Sequence, residues 1–86
     1  MTWGERATKI YEVLEANQFG HLVAEMENEY GIGGTGGEQF SITCTWLAKM
    51  RNHNAEVYNL IKEHAEIILQ QGIDIKYFTK EHYRGL

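Results

Sequence analysis

The chain has 86 residues, of which 43% are hydrophobic and 12% aromatic, and carries a net charge of −4. That length holds one hydrophobic core and the composition is too apolar for a disordered chain, so a single folded domain over residues 1–86 is expected. The acidic balance, with a pI near 5.5, argues against a general grip on phosphate backbones and sets nucleic acid aside as a partner.

Cys44 is the one cysteine, so no internal disulfide can form. With no charged-then-apolar leader ahead of the first amphipathic segment, a reducing cytoplasm is the expected compartment. Apolar runs of at most four residues are far too short to span a membrane. The charge is unevenly spread: residues 1–38 hold seven acids against Arg6 and Lys9, whereas residues 39–86 hold five acids against six bases. Such a dipolar chain suits head-to-tail pairing or a basic partner for its acidic half, while the plainer reading is solvated helix faces.

Thr2-Trp-Gly-Glu5 fits the capping box, and Trp3, Ala7, Ile10, Tyr11 and Leu14 then form one stripe of a helix near 3–17. A second stripe, Phe19, Leu22, Val23, Met26 and Tyr30, lies roughly 130° around the axis from the first. One straight helix cannot bury both, so a break is placed at Asn17 to Gly20, with Asn and Gly as turn or cap residues. The second helix, near 19–30, should stop at a left-handed Gly31, with Ile32 folding back over Met26.

Phe40 to Trp46 alternates apolar and polar residues in the manner of a strand. Against that stands Thr35-Gly-Gly-Glu38, a second capping-box pattern followed by Phe40, Cys44 and Leu47 at helical spacing, which favours a helix near 37–51. Asn52 or Asn54 can cap a fourth helix near 54–71, whose face Val57, Leu60, Ile61, His64 and Ile68 is widened by Tyr58, Ala65, Ile67 and Leu69. A face that wide implies contact on two sides, and Gly72 is placed to end the helix with Ile73 against Ile68. The tail begins with the alternation Ile73 to Tyr77, which suits a short extended segment laid over the bundle. The expected fold is therefore an all-α compact bundle of about four short helices with a docked C-terminal tail. Its alternative is α+β, with short strands near 40–46 and 73–78.

Five of the nine glycines lie between Gly31 and Gly37. A P-loop needs Lys and Ser or Thr after its last glycine, and Glu38 and Gln39 occupy those places here. Gly31 to Gly36 matches the letters of the dinucleotide fingerprint but comes after a helix rather than a strand. The reading that survives is a helix start whose free amides attract anions, so Gly34, Thr35, Gly36 and Gly37 are the candidate ligand-binding residues for a nucleotide or other phosphate.

The four histidines lack two-residue metal spacing, and no metal or cofactor is expected. His64, in the middle of an apolar stripe, reads as a hydrogen-bonded core histidine, and Cys44 lacks a cation to activate it, so no catalytic residue is named. The aromatics are numerous for so small a core, and Trp3, Tyr11, Tyr58, Tyr77 and Tyr83 are the candidate interface residues. The expected function is a non-enzymatic interaction module, an acidic adaptor or inhibitor of a larger host or phage machine, acting as a homo-oligomer. The alternatives are a phosphate-ligand protein using the Gly31–Gly37 loop and, against the charge balance, a helix-turn-helix using Lys49 and Arg51.

Overall fold

The computed structural model describes residues 1–31 and 34–86 and is all-α among them. Its order is α1 (Trp3–Ala16), α2 (His21–Tyr30), α3 (Gly36–His53), α4 (Ala55–Asp74) and the single turn α5 (Lys80–Arg84). The radius of gyration, 12.0 Å, matches the value of about 12 Å for a fully compact chain of this length. No helix among the described residues is long and apolar enough to cross a membrane.

The first helix starts as its capping box requires. Thr2 Oγ1 accepts from the Glu5 N–H and the Glu5 carboxylate accepts from the Thr2 N–H, both at 3.2 Å, so two exposed amides of the first turn find partners. Ala7, Ile10 and Leu14 then face the core. The break falls where the two stripes demand it, with Asn17 as the C-cap of α1 and Gly20 as the N-cap of α2, and its left-handed residue is Gln18 (φ 67°). The N–H groups of Phe19 and Gln18 donate to Leu14 O at 2.7 Å and Glu15 O at 3.1 Å, which is the Schellman pattern with Phe19 folded back toward Leu14. Gly20 opens α2 in an ordinary right-handed conformation. Gly31 ends that helix at φ 85°, a region open to glycine at little cost. The expected contact of Ile32 with Met26 falls outside the described residues.

Residues 40–46 are helical, so the strand alternative fails there. Thr35 Oγ1 accepts from the Glu38 N–H at 3.2 Å and starts the helix. Thr43 Oγ1 donates to Gln39 O at 2.9 Å, which accommodates a β-branched residue within the helix. Phe40, Thr43, Cys44, Trp46, Leu47, Ala48 and Met50 are all buried. A helix covered around so much of its circumference places apolar residues at even as well as helical spacings, and that produced the apparent alternation.

The fourth helix is the spine, and both α1 and α3 pack along it, as its wide apolar face implies. It does not stop at Gly72. The chain continues to Asp74 and turns at Lys76 (φ 65°), with the N–H groups of Tyr77 and Lys76 donating to Gly72 O and Ile73 O at 3.0 and 2.9 Å. Asn54 stands at the N-cap without a capping bond from its side chain, and Asn52 is turned to the tail. Segment 73–78 is a helix end and turn, not a strand, and beyond it the tail coils into the helical turn α5 instead of running extended. Thr79 caps that turn through the His82 N–H at 3.1 Å. The tail docks as expected, with Tyr83 buried and its hydroxyl donating to Leu69 O at 3.0 Å. Asn52 Nδ2 donates to Tyr83 O at 2.8 Å and His53 Nε2 lies 2.8 Å from Leu86 O.

Candidate functional site

At the glycine loop, Gly34, Thr35, Gly36 and Gly37 are all exposed at the start of α3. Gly34 (φ 105°) takes a backbone conformation that disfavours side chains, and a Cβ there would also collide with Glu38 Oε2. The carboxylate of Glu38 therefore lies against the loop. The adjoining hollow, 550 Å³ in volume, is lined by Thr35, Gly37, Glu38, Ser41, Ile42 and Tyr77. Among the described residues one carboxylate and no cation line it, so the field opposes a phosphate even though the helix amides attract one.

Chemistry at Cys44 and the histidines is equally constrained. No group of three or more His, Cys, Asp or Glu among the described residues is placed to hold a metal ion. His64 is half-buried, with Nδ1 3.2 Å from an Arg6 guanidinium nitrogen; a guanidinium carries donors only, so this imidazole nitrogen accepts. Burial pushes the Cys44 thiol up to about 11. At pH 8 the thiolate fraction is then roughly a hundredfold or more below that of an ordinary cysteine. Iodoacetamide at pH 8 is accordingly expected to label the native protein at least about 100-fold more slowly than the chain in guanidinium. Comparable rates would show the thiol to be accessible and ionised.

The five aromatic candidates divide by location. Tyr58 and Tyr83 are core residues: the Tyr58 hydroxyl donates to Glu66 Oε1 at 2.8 Å, and burial, reinforced by that carboxylate, raises its pKa. Both rings are almost wholly covered by the chain itself. Tyr11 is half-buried, its ring tilted on Trp46 at 6.1 Å, and burial followed by Glu27 raises its pKa. Trp3 and Tyr77 come together through Phe40. Trp3 meets that ring edge-on at 5.3 Å, and Tyr77 meets it at 6.0 Å. Ile75 joins them around a 200 Å³ hollow floored by Gly36, Gly37 and Gln71. Ile75 is 49% exposed and Tyr77 55% exposed, so the patch presents two large apolar side chains to solvent. Sequence reasoning missed Ile75, because in an extended tail it shares a face with Ile73, the residue expected to lie against Ile68.

A second feature has no counterpart in the sequence reading. Between α3, α4 and α5 lies a 460 Å³ cleft that Arg51, Lys80 and Arg84 line together with Glu66. Arg51 sits 3.7 Å from Glu66 Oε2 and stacks over the Tyr83 ring at 6.0 Å. Lys80 and Arg84 pair with no carboxylate among the described residues. Lys49, grouped with Arg51 from sequence, is engaged elsewhere: its ammonium donates to the Tyr30 hydroxyl at 2.8 Å and lies 3.9 Å from Glu29. The cleft was hidden because Lys80 and Arg84 join Arg51 only through the coiling of the tail into α5 and its docking on α3 and α4. Comparison with known proteins finds no matching family model, no similar curated protein and no similar solved structure.

Proposed function

We propose that this protein is a small, acidic, non-enzymatic interaction module, an adaptor or inhibitor that docks on a larger host or phage assembly in the cytoplasm through the Trp3, Phe40, Ile75 and Tyr77 patch. The supporting observation is the rigid presentation of Ile75 and Tyr77. The N–H groups of Tyr77 and Phe78 both donate to Gly72 O, at 3.0 and 3.2 Å, around a left-handed Lys76 whose conformation carries an energetic cost. The apolar pair is thereby held outward, with much of the ordering that docking requires already complete. Glu38 lines the hollow next to Tyr77, and Glu5 and Asp74 lie close to the patch in sequence, against Arg6 and Lys76. An apolar anchor flanked by basic residues is the partner that complements this rim. Homo-oligomerisation is part of the proposal, because a domain of 9.9 kDa gains stability by covering apolar surface.

The double variant Ile75→Ser/Tyr77→Ser tests the reading. Both side chains are about half exposed, so the melting temperature is expected to fall by no more than a few degrees. Light scattering should give a mass above 9.9 kDa for the parent that returns to the monomer value in the variant. A partner recovered by pull-down should be lost with it. A monomeric parent, together with a partner retained equally by both chains, would overturn the proposal.

A further inference from the structure

We infer that the cleft between α3, α4 and α5 binds a phosphate group, held by Arg51, Lys80 and Arg84. The chain as a whole is net −4, yet this hollow gathers three cations and a single carboxylate. Twelve Asp and Glu side chains are available, and Glu66 alone lines the cleft. Its charge is already shared, since Oε1 accepts the Tyr58 hydroxyl at 2.8 Å. Oε2 stands 3.7 Å from Arg51, well beyond the roughly 2.7–2.9 Å of a strong charge-assisted bond. Besides its contacts with Glu66 and the Tyr58 hydroxyl, Arg51 has further guanidinium donors for another group.

Helix dipoles account for only part of this cluster. Arg51 and Arg84 occupy the last turns of α3 and α5, where cations complement the carbonyl ends. Lys80 stands at the opposite end of α5, in its first turn, where a cation gains nothing from the backbone. Three like charges brought to one hollow repel one another, and a bound dianion reverses the sign of that interaction. The amide nitrogens of the wall are already engaged within the protein. Asn52 Nδ2 is held by Tyr83 O and Leu86 O, and Gln70 Nε2 by Asp74 Oδ1. Ligand recognition therefore falls to the cations. The cleft volume of 460 Å³ is within the range of small-molecule sites and exceeds what one phosphate fills. Ile73, only partly buried, adds apolar wall for an attached organic group beside the buried Leu69 and Tyr83.

The probes are inorganic phosphate and adenosine monophosphate, titrated at low ionic strength against sodium chloride of matched ionic strength. Amide shifts are followed by NMR in the parent and in Lys80→Gln/Arg84→Gln. Both substituted side chains are exposed, and Arg51 is left in place so that its packing on Tyr83 survives. Saturable shifts are expected at residues 51, 80 and 84 in the parent, with affinity at least tenfold weaker in the double variant. Tighter binding of the nucleotide than of phosphate identifies an ester with an organic group, and equal binding identifies the phosphate alone. Shifts no larger than those with chloride, or equal affinity in the two proteins, would overturn the inference. The patch at Ile75 and Tyr77 is untouched by these substitutions, so the result is independent of partner docking.

Discussion

Gly72→Ala is expected to destabilise the protein by about 2 kcal/mol and to lower its melting temperature by roughly 8–16 °C. The sign is the informative part. Helix propensity alone favours alanine by about 1 kcal/mol at an interior helical position, and Gly72 lies within α4. Opposing it, a Cβ at Gly72 would collide with the Tyr83 hydroxyl and stand 3.2 Å from Cys44 Sγ and 3.3 Å from Phe78 Cδ2. All three neighbours are held from behind: Tyr83 by its bond to Leu69 O, Phe78 by stacking on Tyr83 at 5.1 Å, and Cys44 within α3. Close packing leaves little room to yield, so overpacking exceeds the propensity gain. The mechanism has its own check in a double-mutant cycle. Tyr83→Phe alone forfeits one buried hydrogen bond, worth about 1 kcal/mol, but beside Ala at position 72 it also removes the colliding atom. The two costs should therefore combine to less than their sum. A neutral or stabilising Gly72→Ala, or strict additivity, would show that the tail does not pack on this glycine.

The four longer helices, the break after α1 and the caps at Thr2 and Thr35 could be read from sequence because each rests on local chemistry: a hydroxyl three residues ahead of an amide, or two stripes that no single axis can serve. The left-handed turns were harder. Asn and Gly are the usual residues there, yet Gln18 and Lys76 take the positions, since the Schellman bonds and the packing of Phe19 and Phe78 outweigh the cost of one unfavourable φ. Gly72 misled for the converse reason, because close approach of Tyr83 needs a glycine as surely as a helix end does. The aromatic candidates show the same limit. Composition marks Trp3, Tyr11, Tyr58, Tyr77 and Tyr83 alike, but burial depends on the angle at which each meets the core, and the tail's conformation decides it for the last two. The cationic cleft lay furthest from view, being assembled from positions 51, 80 and 84 by a turn of helix that periodicity cannot detect in five residues.

Ile67 and Ile68 turn this dependence on angle into a quantitative contrast. Neighbouring residues of the same type on α4, they differ by about 100° around the axis. Ile68 is fully buried on the stripe that carries Ile61, Ala65 and Gly72 between α1 and α3, whereas Ile67 is 43% exposed. Ile68→Ala removes buried carbon and leaves a cavity that two flanking helices cannot both close. A loss of about 3 kcal/mol is expected, within the roughly 2–5 kcal/mol of such truncations, and with it a fall of roughly 12–24 °C in melting temperature. Ile67→Ala removes the same atoms from a site where water already reaches them, and alanine is the better helix former, so its effect should stay within about 0.5 kcal/mol. Urea titration measures both as a shift of midpoint at constant slope. Against a total stability of about 5–15 kcal/mol for a domain, the first loss is a large fraction and the second is negligible. Equal costs at the two positions would mean that α4 is rotated from the register described, and with it the face that holds α1, α3 and the docked tail.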